Sequence, residues 1–394
     1  MRANFLKHIA QTSPAPMGLE IAGGEGVYLI DTAGKRYLDL IAGIGVSALG
    51  HNHPAVVEAV QKQAGTYMHT LVYGEFVLGT QVELATLLCA QLPDSLDNVY
   101  FTNSGTEAVE GAMKLAKRVT GRAEIVAATY AYHGSTQGAA SLMWPKDFTR
   151  PFHPLLPGIG HLEFNDDASL DRITERTAAV VLETVQAEWG LRRPRPEWMQ
   201  AVRARCTETG TLLILDEIQA GMGRTGTLFA FEQYGIVPDI LLLAKGFGGG
   251  MPLGAFIAGR DIMQALTENP VLGHITTFGG HPVSCAAGLA TLRTLTDNPE
   301  LIGSVKEKEA LFRRLLVHPR IREVRSAGLW MAVELKDFDE IQHTIAGCLE
   351  RGLITDWFLF NERSLRIAPP LTITPAEIEW ACGVILDSLS TLDA

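Results

Sequence analysis

The chain carries a lysine where a core strand would end: the apolar run DILLLA (239–244) delivers Lys245 into the glycine-rich stretch GFGGGMPLGA (246–255). Desolvation disfavours an ammonium ion, so an amine at such a place is a candidate nucleophile for Schiff-base chemistry with a carbonyl group. The plainer alternatives are a lysine that snorkels out of a strand end or one that meets a phosphate. A second apolar run, in TLLILDEIQAGMGRTG (211–226), brings Asp216 and Glu217 to another strand end, where a carboxylate faces a ligand or a cation. The segment NVYFTNSGTEAVEGAMKLAKRVTG (98–121) reads as a strand, a tight Ser104-Gly105-Thr106 turn and a helix with apolar spacing at Ala108, Ala112, Leu115 and Val119. The start of that helix offers free N–H groups to an anion, although Ser104 and Glu107 also fit a plain capping box. In ATYAYHGSTQG (128–138), aromatic residues and His133 precede a glycine in a loop after the strand EIVAA.

A lysine, a strand-end aspartate, an anion-binding turn and a flat aromatic ring are the groups that a pyridoxal phosphate site requires. The chain resembles the class III pyridoxal-phosphate-dependent aminotransferases, and within them the acetylornithine/ornithine branch. The resemblance runs from GVYLIDTAGKRYLDLIAGIGVSALGHNHP (26–54) through FTNSGTEAVEGAMKLAK, LDEIQAGMGRTG, AKGFGGGMPLGA and TTFGGHPVSCAAG (276–288) to SLRIAPPLTIT (364–374). It implies that Lys245 forms the Schiff base with the cofactor aldehyde and then moves the proton of the reaction. Asp216 would pair with the protonated pyridine nitrogen, Gln219 would donate to the ring's phenolic oxygen, and Ile218 and Tyr132 would cover the two ring faces, with His133 beside them. Phosphate contacts would come from Ser104, Gly105 and Thr106, and from Thr277 of a partner subunit, so the resemblance also implies a homodimer with shared active sites. Without the resemblance, Thr277 reads as a hydroxyl satisfied in a turn.

For substrate selection, Arg366 matches an arginine that forks onto the α-carboxylate of glutamate or 2-oxoglutarate. Glu188, in ETVQAEWG, matches a glutamate that masks this arginine when a donor presents its distal amine, and Glu183 opens the same segment among the expected substrate contacts. An ordinary salt bridge at a domain boundary is the alternative. Two departures bear on the substrate. The acetylornithine/ornithine branch carries an arginine where this chain has Ser135, which leaves the second carboxylate of 2-oxoglutarate without its usual partner and makes YHGST resemble amine–pyruvate aminotransferases. The segment HTLVYGEFVLGTQ (69–81) is longer than its counterpart, so Tyr73 and Glu75 are expected at the substrate entrance, unless Glu75 merely caps or solvates a loop. The expected activity is amino transfer from an ω-amino donor, acetylornithine-, ornithine- or 4-aminobutyrate-like, to 2-oxoglutarate; an amine–pyruvate aminotransferase and a glutamate-semialdehyde-type aminomutase are the alternatives.

Positioning these groups needs alternating elements. Between about residues 54 and 285, helices alternate with the short apolar strands NVYFT, EIVAA, AAVVLET, TLLILDE, DILLLA and AFIAG, the pattern of a mostly parallel sheet with helices on both faces. The fold class expected is α/β, and the resemblance specifies fold type I: a large cofactor-binding domain over 51–285 and a smaller α+β C-terminal domain over 286–394. Residues 1–50, with a hairpin around GVYLI-DTAGKR-YLDL, would join the small domain. Helices are expected over about 54–64 and 282–297, and a last helix opens at Thr374-Pro375 with Glu377, a capping box with proline at its first position.

Composition agrees with this reading. The 394 residues exceed what one core usually holds, and 47% are hydrophobic. A balance of 33 basic against 44 acidic side chains, net −11, with no basic run, argues against a nucleic-acid partner. The N-terminal stretch lacks the apolar core of a signal peptide, and no uninterrupted apolar run is long enough to span a bilayer. Five scattered cysteines without a CxxC pair fit free thiols in a reducing cytoplasm, and no metal site is expected.

Overall fold

The computed structural model describes residues 1–393. Its centre is a seven-stranded sheet in the order β4-β10-β9-β8-β7-β5-β6. The strands are β4 (Asn98–Thr102), β5 (Glu124–Ala128), β6 (Ile159–Leu162), β7 (Thr177–Glu183), β8 (Leu212–Asp216), β9 (Ile240–Leu243) and β10 (Gly254–Ala258). The run from β9 through β8, β7 and β5 to β6 is parallel, and β10 alone is reversed, pairing antiparallel with both β4 and β9. These strands read as continuous apolar runs because both faces of the sheet are covered. Within β8, Leu213 and Leu215 enter one core while Ile214 enters the other, and β9 divides Leu241 and Leu243 from Leu242 in the same way.

The helix Gly105–Thr120 lies on the second face, burying Ala108, Ala112 and Leu115 as the spacing predicts; Val119, in its last turn, is exposed instead. Helix Pro282–Asp297 packs against Pro54–Thr66 and Gly79–Cys89 on the other side. Strand β6 escaped the sequence reading because IGHL is short, polar at His161 and only half-buried at the sheet edge.

Two smaller sheets flank the large one. The expected N-terminal hairpin is a three-stranded meander of β1 (Ile21–Glu25), β2 (Tyr28–Asp31) and β3 (Arg36–Asp39), and β3 pairs in parallel with β13 (Leu353–Ile354) far along the chain. The other sheet runs β11-β12-β15-β14, from β11 (Glu323–Ser326), β12 (Met331–Glu334), β14 (Asp356–Phe358) and β15 (Asn361–Ile367). The last helix, Pro375–Ser390, opens with the full capping box: Glu377 N–H donates to Thr374 Oγ1 at 3.3 Å, and Thr374 N–H donates to Glu377 Oε2 at 2.8 Å. Among the described residues no helix is long and apolar enough to cross a membrane.

Gly111, in the middle of the Gly105–Thr120 helix, lets that helix approach the sheet: a Cβ there would lie 2.4 Å from Phe256 Cε1 of β10. Gly111→Ala should therefore destabilise the protein by about 1–3 kcal/mol of overpacking, against a helix-propensity gain of only about 1 kcal/mol. A lowered urea midpoint checks it, and an unchanged or raised midpoint contradicts the close approach.

Candidate active site

Three parallel strands end side by side at one edge of the sheet. Glu183 closes β7 and pairs in register with Asp216, which closes β8; Lys245 follows β9 by two residues. The carboxyl edge of such a sheet is where ligands bind. A cavity of about 600 Å³ opens there, lined among others by Ser104, Gly105, Thr106, Tyr132, His133, Ser135, Glu183, Asp216, Ile218, Gln219 and Lys245.

Lys245 adopts φ +47°, in the left-handed region that disfavours a residue with a Cβ. Such backbone costs on the order of 1–3 kcal/mol and persists only where the surroundings impose it. Its Nζ donates to Gln219 Oε1 at 2.7 Å. Burial pulls the amine below the ordinary lysine range, opposed by the charges of Glu188 and Asp216. Gln219 thus spends its carbonyl on Lys245, and its buried Nε2 has no protein partner, which leaves an amide N–H free for an acceptor in the cavity.

Asp216 is seated by two groups. Its Oδ1 accepts from Ile218 N–H at 2.9 Å, and its Oδ2 accepts from His133 Nδ1 at 2.7 Å. Burial works against the His133 imidazolium, but the bond to Asp216 and the charge of Asp216 raise its pKa overall. Glu183 is the opposite case: burial raises its carboxyl to about 8. Its oxygens accept from Tyr132 N–H at 3.3 Å and Ala187 N–H at 3.0 Å, so it ties together the two loops that carry Tyr132 and Glu188.

At the helix start, Ser104 Oγ accepts from Glu107 N–H at 3.3 Å, as the capping box predicts. The reciprocal arm reaches one residue further back, where Glu107 Oε2 accepts from Asn103 N–H and Asn103 Nδ2, both at 2.8 Å. Two glycines are required for this geometry. A Cβ on Gly105 would meet Ile218 Cδ1 at 2.7 Å, and one on Gly134, at φ +126°, would meet Thr106 Oγ1 at 2.3 Å. Close contact with Gly105 thus fixes where Ile218 lies, and Tyr132 OH lies 3.2 Å from Ser135 Oγ.

Arg366, on β15, and Glu188, just after β7, do not line this cavity, but their charges act on Lys245, and they form a buried two-pronged pair at 3.1 and 3.0 Å. Asp356 Oδ1 stands 3.0 Å from Arg366 Nε, and Trp357 O accepts from Nη2 at 2.9 Å. Asp356 escaped the sequence reading because nothing local marks it; only the β14–β15 pairing sets it opposite Arg366. The lining also includes Val46 from the N-terminal segment and Val185 and Ala187 from the stretch after β7.

Besides Arg366 and Glu188, three further expected residues lie outside the cavity lining. Thr277 and Glu75 are exposed, and Tyr73 lines a separate hollow of about 320 Å³ with Phe76, Val77 and Gly279.

A buried lysine amine, a hydrogen-bonded carboxylate, an unpaired amide N–H, a helix N-terminus and an aromatic side chain in one cavity match the donor set for pyridoxal phosphate. Among the described residues no group of three or more His, Cys, Asp or Glu is arranged to hold a metal ion.

A family model described as Aminotransferase class-III matches residues 9–389. The acetylornithine aminotransferase of Methanopyrus kandleri is 41% identical over 371 residues, covering 93% of each chain. The putrescine aminotransferase of Pectobacterium atrosepticum is 42% identical over 369 residues, covering 88% of this chain and 77% of the relative. Among solved structures, the ornithine aminotransferase of Toxoplasma gondii, with PLP at partial occupancy in its active site, superposes with a TM-score of 0.91 at 30% identity, covering 99% of this chain and 93% of that one.

Glu183 makes stability depend on pH. Because its carboxyl rises from an ordinary 4.5 to about 8, the native state holds a proton that the unfolded chain releases. The resulting stability is present at acid pH and is lost as pH rises from about 4.5 to about 8. Glu183→Gln, neutral throughout, should lack this loss, so wild-type urea midpoints should fall relative to the variant between pH 5 and pH 8. Parallel profiles would place the buried proton elsewhere.

Proposed function

The chain belongs to the class-III aminotransferases and is a transaminase, and on that premise we propose that it moves the amino group of an ω-amino donor to 2-oxoglutarate, with pyridoxal phosphate held in the cavity beside Lys245. When bound, the cofactor supplies an aldehyde that captures the donor's amino group and a ring that accepts the electron pair left on the substrate carbon. Lys245 Nζ then moves the proton at that carbon; its depressed pKa keeps the amine competent as a base. Asp216, seated by His133 and Ile218, would hold the proton on the ring nitrogen. The unpaired Nε2 of Gln219 would donate to the phenolic oxygen. Ser104, Gly105 and Thr106, at the positive end of a 16-residue helix, would take the phosphate. Ile218 and Tyr132 would bound the ring faces. Glu183 is better read as a positioning residue than as a substrate contact, because its oxygens are engaged by backbone N–H groups.

The observation that carries the dual substrate range is the buried Glu188–Arg366 pair. While Glu188 covers the guanidinium, the pocket would present no free guanidinium and suit a donor that enters with its distal amine. When Glu188 turns away, the same fork accepts an α-carboxylate, with Asp356 and Trp357 still holding its other edge. The relatives named for acetylornithine, ornithine and putrescine support a donor of this kind.

A shared dimer site is part of the proposal. Met68 (64% exposed), Val77 (92%), Phe76 (55%) and Phe278 (53%) present apolar surface. The loops that carry them adjoin, with His69 on Phe278 at 4.8 Å between ring centres and Gln81 Nε2 donating to Gly280 O at 2.7 Å. A partner placed against this surface would bury it and bring Thr277, Tyr73 and Glu75 to the opposite site. Five free cysteines fit a cytoplasmic setting. A division near residues 50 and 285 would put Lys245 and Arg366 on different bodies, so substrate binding would couple to closure.

Ser135 favours a second reading. Among the residues lining the cavity there is no arginine to hold the distal carboxylate of 2-oxoglutarate, which suits pyruvate as acceptor. Adding single amino compounds to the cofactor-loaded protein and following its absorbance decides between them. Conversion by glutamate and by one of acetylornithine, ornithine, 4-aminobutyrate or putrescine is the expected outcome. Conversion by alanine but not glutamate establishes the pyruvate reading, and undiminished conversion by Lys245→Ala overturns the role of the lysine. Glu188→Gln should slow the ω-amine half-reaction at least tenfold while leaving the glutamate half-reaction intact, since about 1.5–3 kcal/mol of charge-assisted bonding is weakened. Equal slowing of both would contradict the exchange of partners on Arg366.

A further inference from the structure

A second cavity, of about 710 Å³, lies apart from the catalytic one, between the segments 164–165 and 189–193 and the wall made by Arg313 with β11. Its lining holds Arg192, Arg193, Arg313 and Arg325 against one carboxylate, that of Glu323. In a chain of net charge −11 this concentration of guanidinium groups runs against the overall balance. Arg325 is neutralised, since it pairs with Glu323 and with Glu334 at 2.6 Å, and donates to Gly190 O at 2.6 Å and Ser364 Oγ at 2.9 Å. The other three are not. Among the described residues, no carboxylate lies within ion-pairing distance of Arg192, Arg193 or Arg313; Arg193 donates to Gln233 Oε1 at 3.0 Å, and Arg313 to Val324 O at 2.6 Å and Ser326 Oγ at 3.0 Å.

Arg192 is the most constrained of them. Its guanidinium lies 5.1 Å from the centre of the Trp189 ring, which itself stacks on Tyr130 at 4.3 Å and 5°. Its backbone is locked to Gln186 by two hydrogen bonds, of 2.8 and 2.9 Å, yet its buried Nε has no partner. Burial and the neighbouring charge of Arg325 lower its pKa, and the more distant carboxylates of Glu323 and Glu334, already engaged by Arg325, offset this only in part. A guanidinium held in place by stacking, with an unpaired N–H, has given up part of its ordering entropy before any ligand arrives.

We propose that this cavity is a binding site for a small multivalent oxyanion, carrying at least two negative charges on phosphoryl or carboxyl oxygens, which Arg192, Arg193 and Arg313 together neutralise. Guanidinium forks pair with either oxygen type, and the volume falls within the range of small-molecule sites. The site stands on the turn that follows Glu188: Arg325 holds Gly190 O, and Asn361 Nδ2 approaches Trp189 O at 3.5 Å. An anion seated there would hold that turn and be sensed by Trp189. Nothing in this assignment depends on the amino donor or on amino transfer.

The test is calorimetric titration of the cofactor-loaded protein with inorganic pyrophosphate and, separately, with citrate, at constant ionic strength. One saturable site per chain is expected for at least one of them, and the preferred probe tells a phosphoryl from a carboxyl source. Arg192→Ala and Arg313→Ala should each weaken binding at least tenfold, and the Trp189→Phe protein should lose the fluorescence change that accompanies binding. Arg192→Lys and Arg313→Lys, which keep the charge, should retain part of the affinity and guard against loss by misfolding. Absence of saturable binding, binding unaltered in the double variant Arg192→Ala/Arg313→Ala, or displacement by equivalent chloride overturns the proposal.

Discussion

A carboxylate at the end of a buried strand is the constraint on which the rest of this structure depends. Asp216 closes β8, whose residues Leu213 to Leu215 are fully buried, so its charge must be balanced where the core ends. An uncompensated buried charge is far too costly to keep. The Ile218 N–H satisfies one oxygen and His133 the other, and neither comes free. Ile218 is placed by contact with Gly105 at the helix start, and His133 by a loop whose backbone is tied to Glu183. One charged residue therefore organises the helix start, the aromatic loop and the end of β7 into a single site.

Around that anchor, strain and neutrality divide the work. Lys245 occupies a left-handed backbone position and directs its amine at Gln219, which leaves the Gln219 N–H unpaired. Glu183, in register beside Asp216, is pushed by burial toward the neutral form, so it ties two loops together without adding a second full negative charge next to Asp216. Of the two neighbouring carboxylates, Asp216 is the one paired with an imidazole and Glu183 the one held by backbone N–H groups.

Much of this was legible in the sequence because the signals are local. Lys245, Asp216 and Ser104 each follow an apolar run that stops abruptly, and a charged or hydroxyl side chain at such a stop marks a strand end. The Thr374 capping box is spelled within four residues and forms as read. What could not be read depends on contacts made across long separations. Asp356 joins Arg366 only through the β14–β15 pairing, β13 completes a sheet begun some three hundred residues earlier, and Glu107 caps Asn103 rather than Ser104 because of how the preceding turn folds. Tyr73, Glu75 and Thr277 stand outside the cavity of their own chain, and nothing local in the sequence signals that placement.

The Glu188–Arg366 pair joins the stretch after β7 to β15, and its energetics bear on how it works. Burying two opposite charges gains little net stability, because desolvation cancels most of the attraction; a buried pair is therefore weak evidence of a structural brace. Here the guanidinium also meets Asp356 and Trp357 O, so it would keep partners on one edge if Glu188 left the other. Glu188 in turn accepts Leu359 N–H at 2.8 Å, a second anchor that steadies it in the closed arrangement. A brace would need only the pair. An arginine with further partners and a glutamate with its own anchor suit the proposed exchange, in which a substrate carboxylate would replace Glu188 on the guanidinium while the other contacts hold.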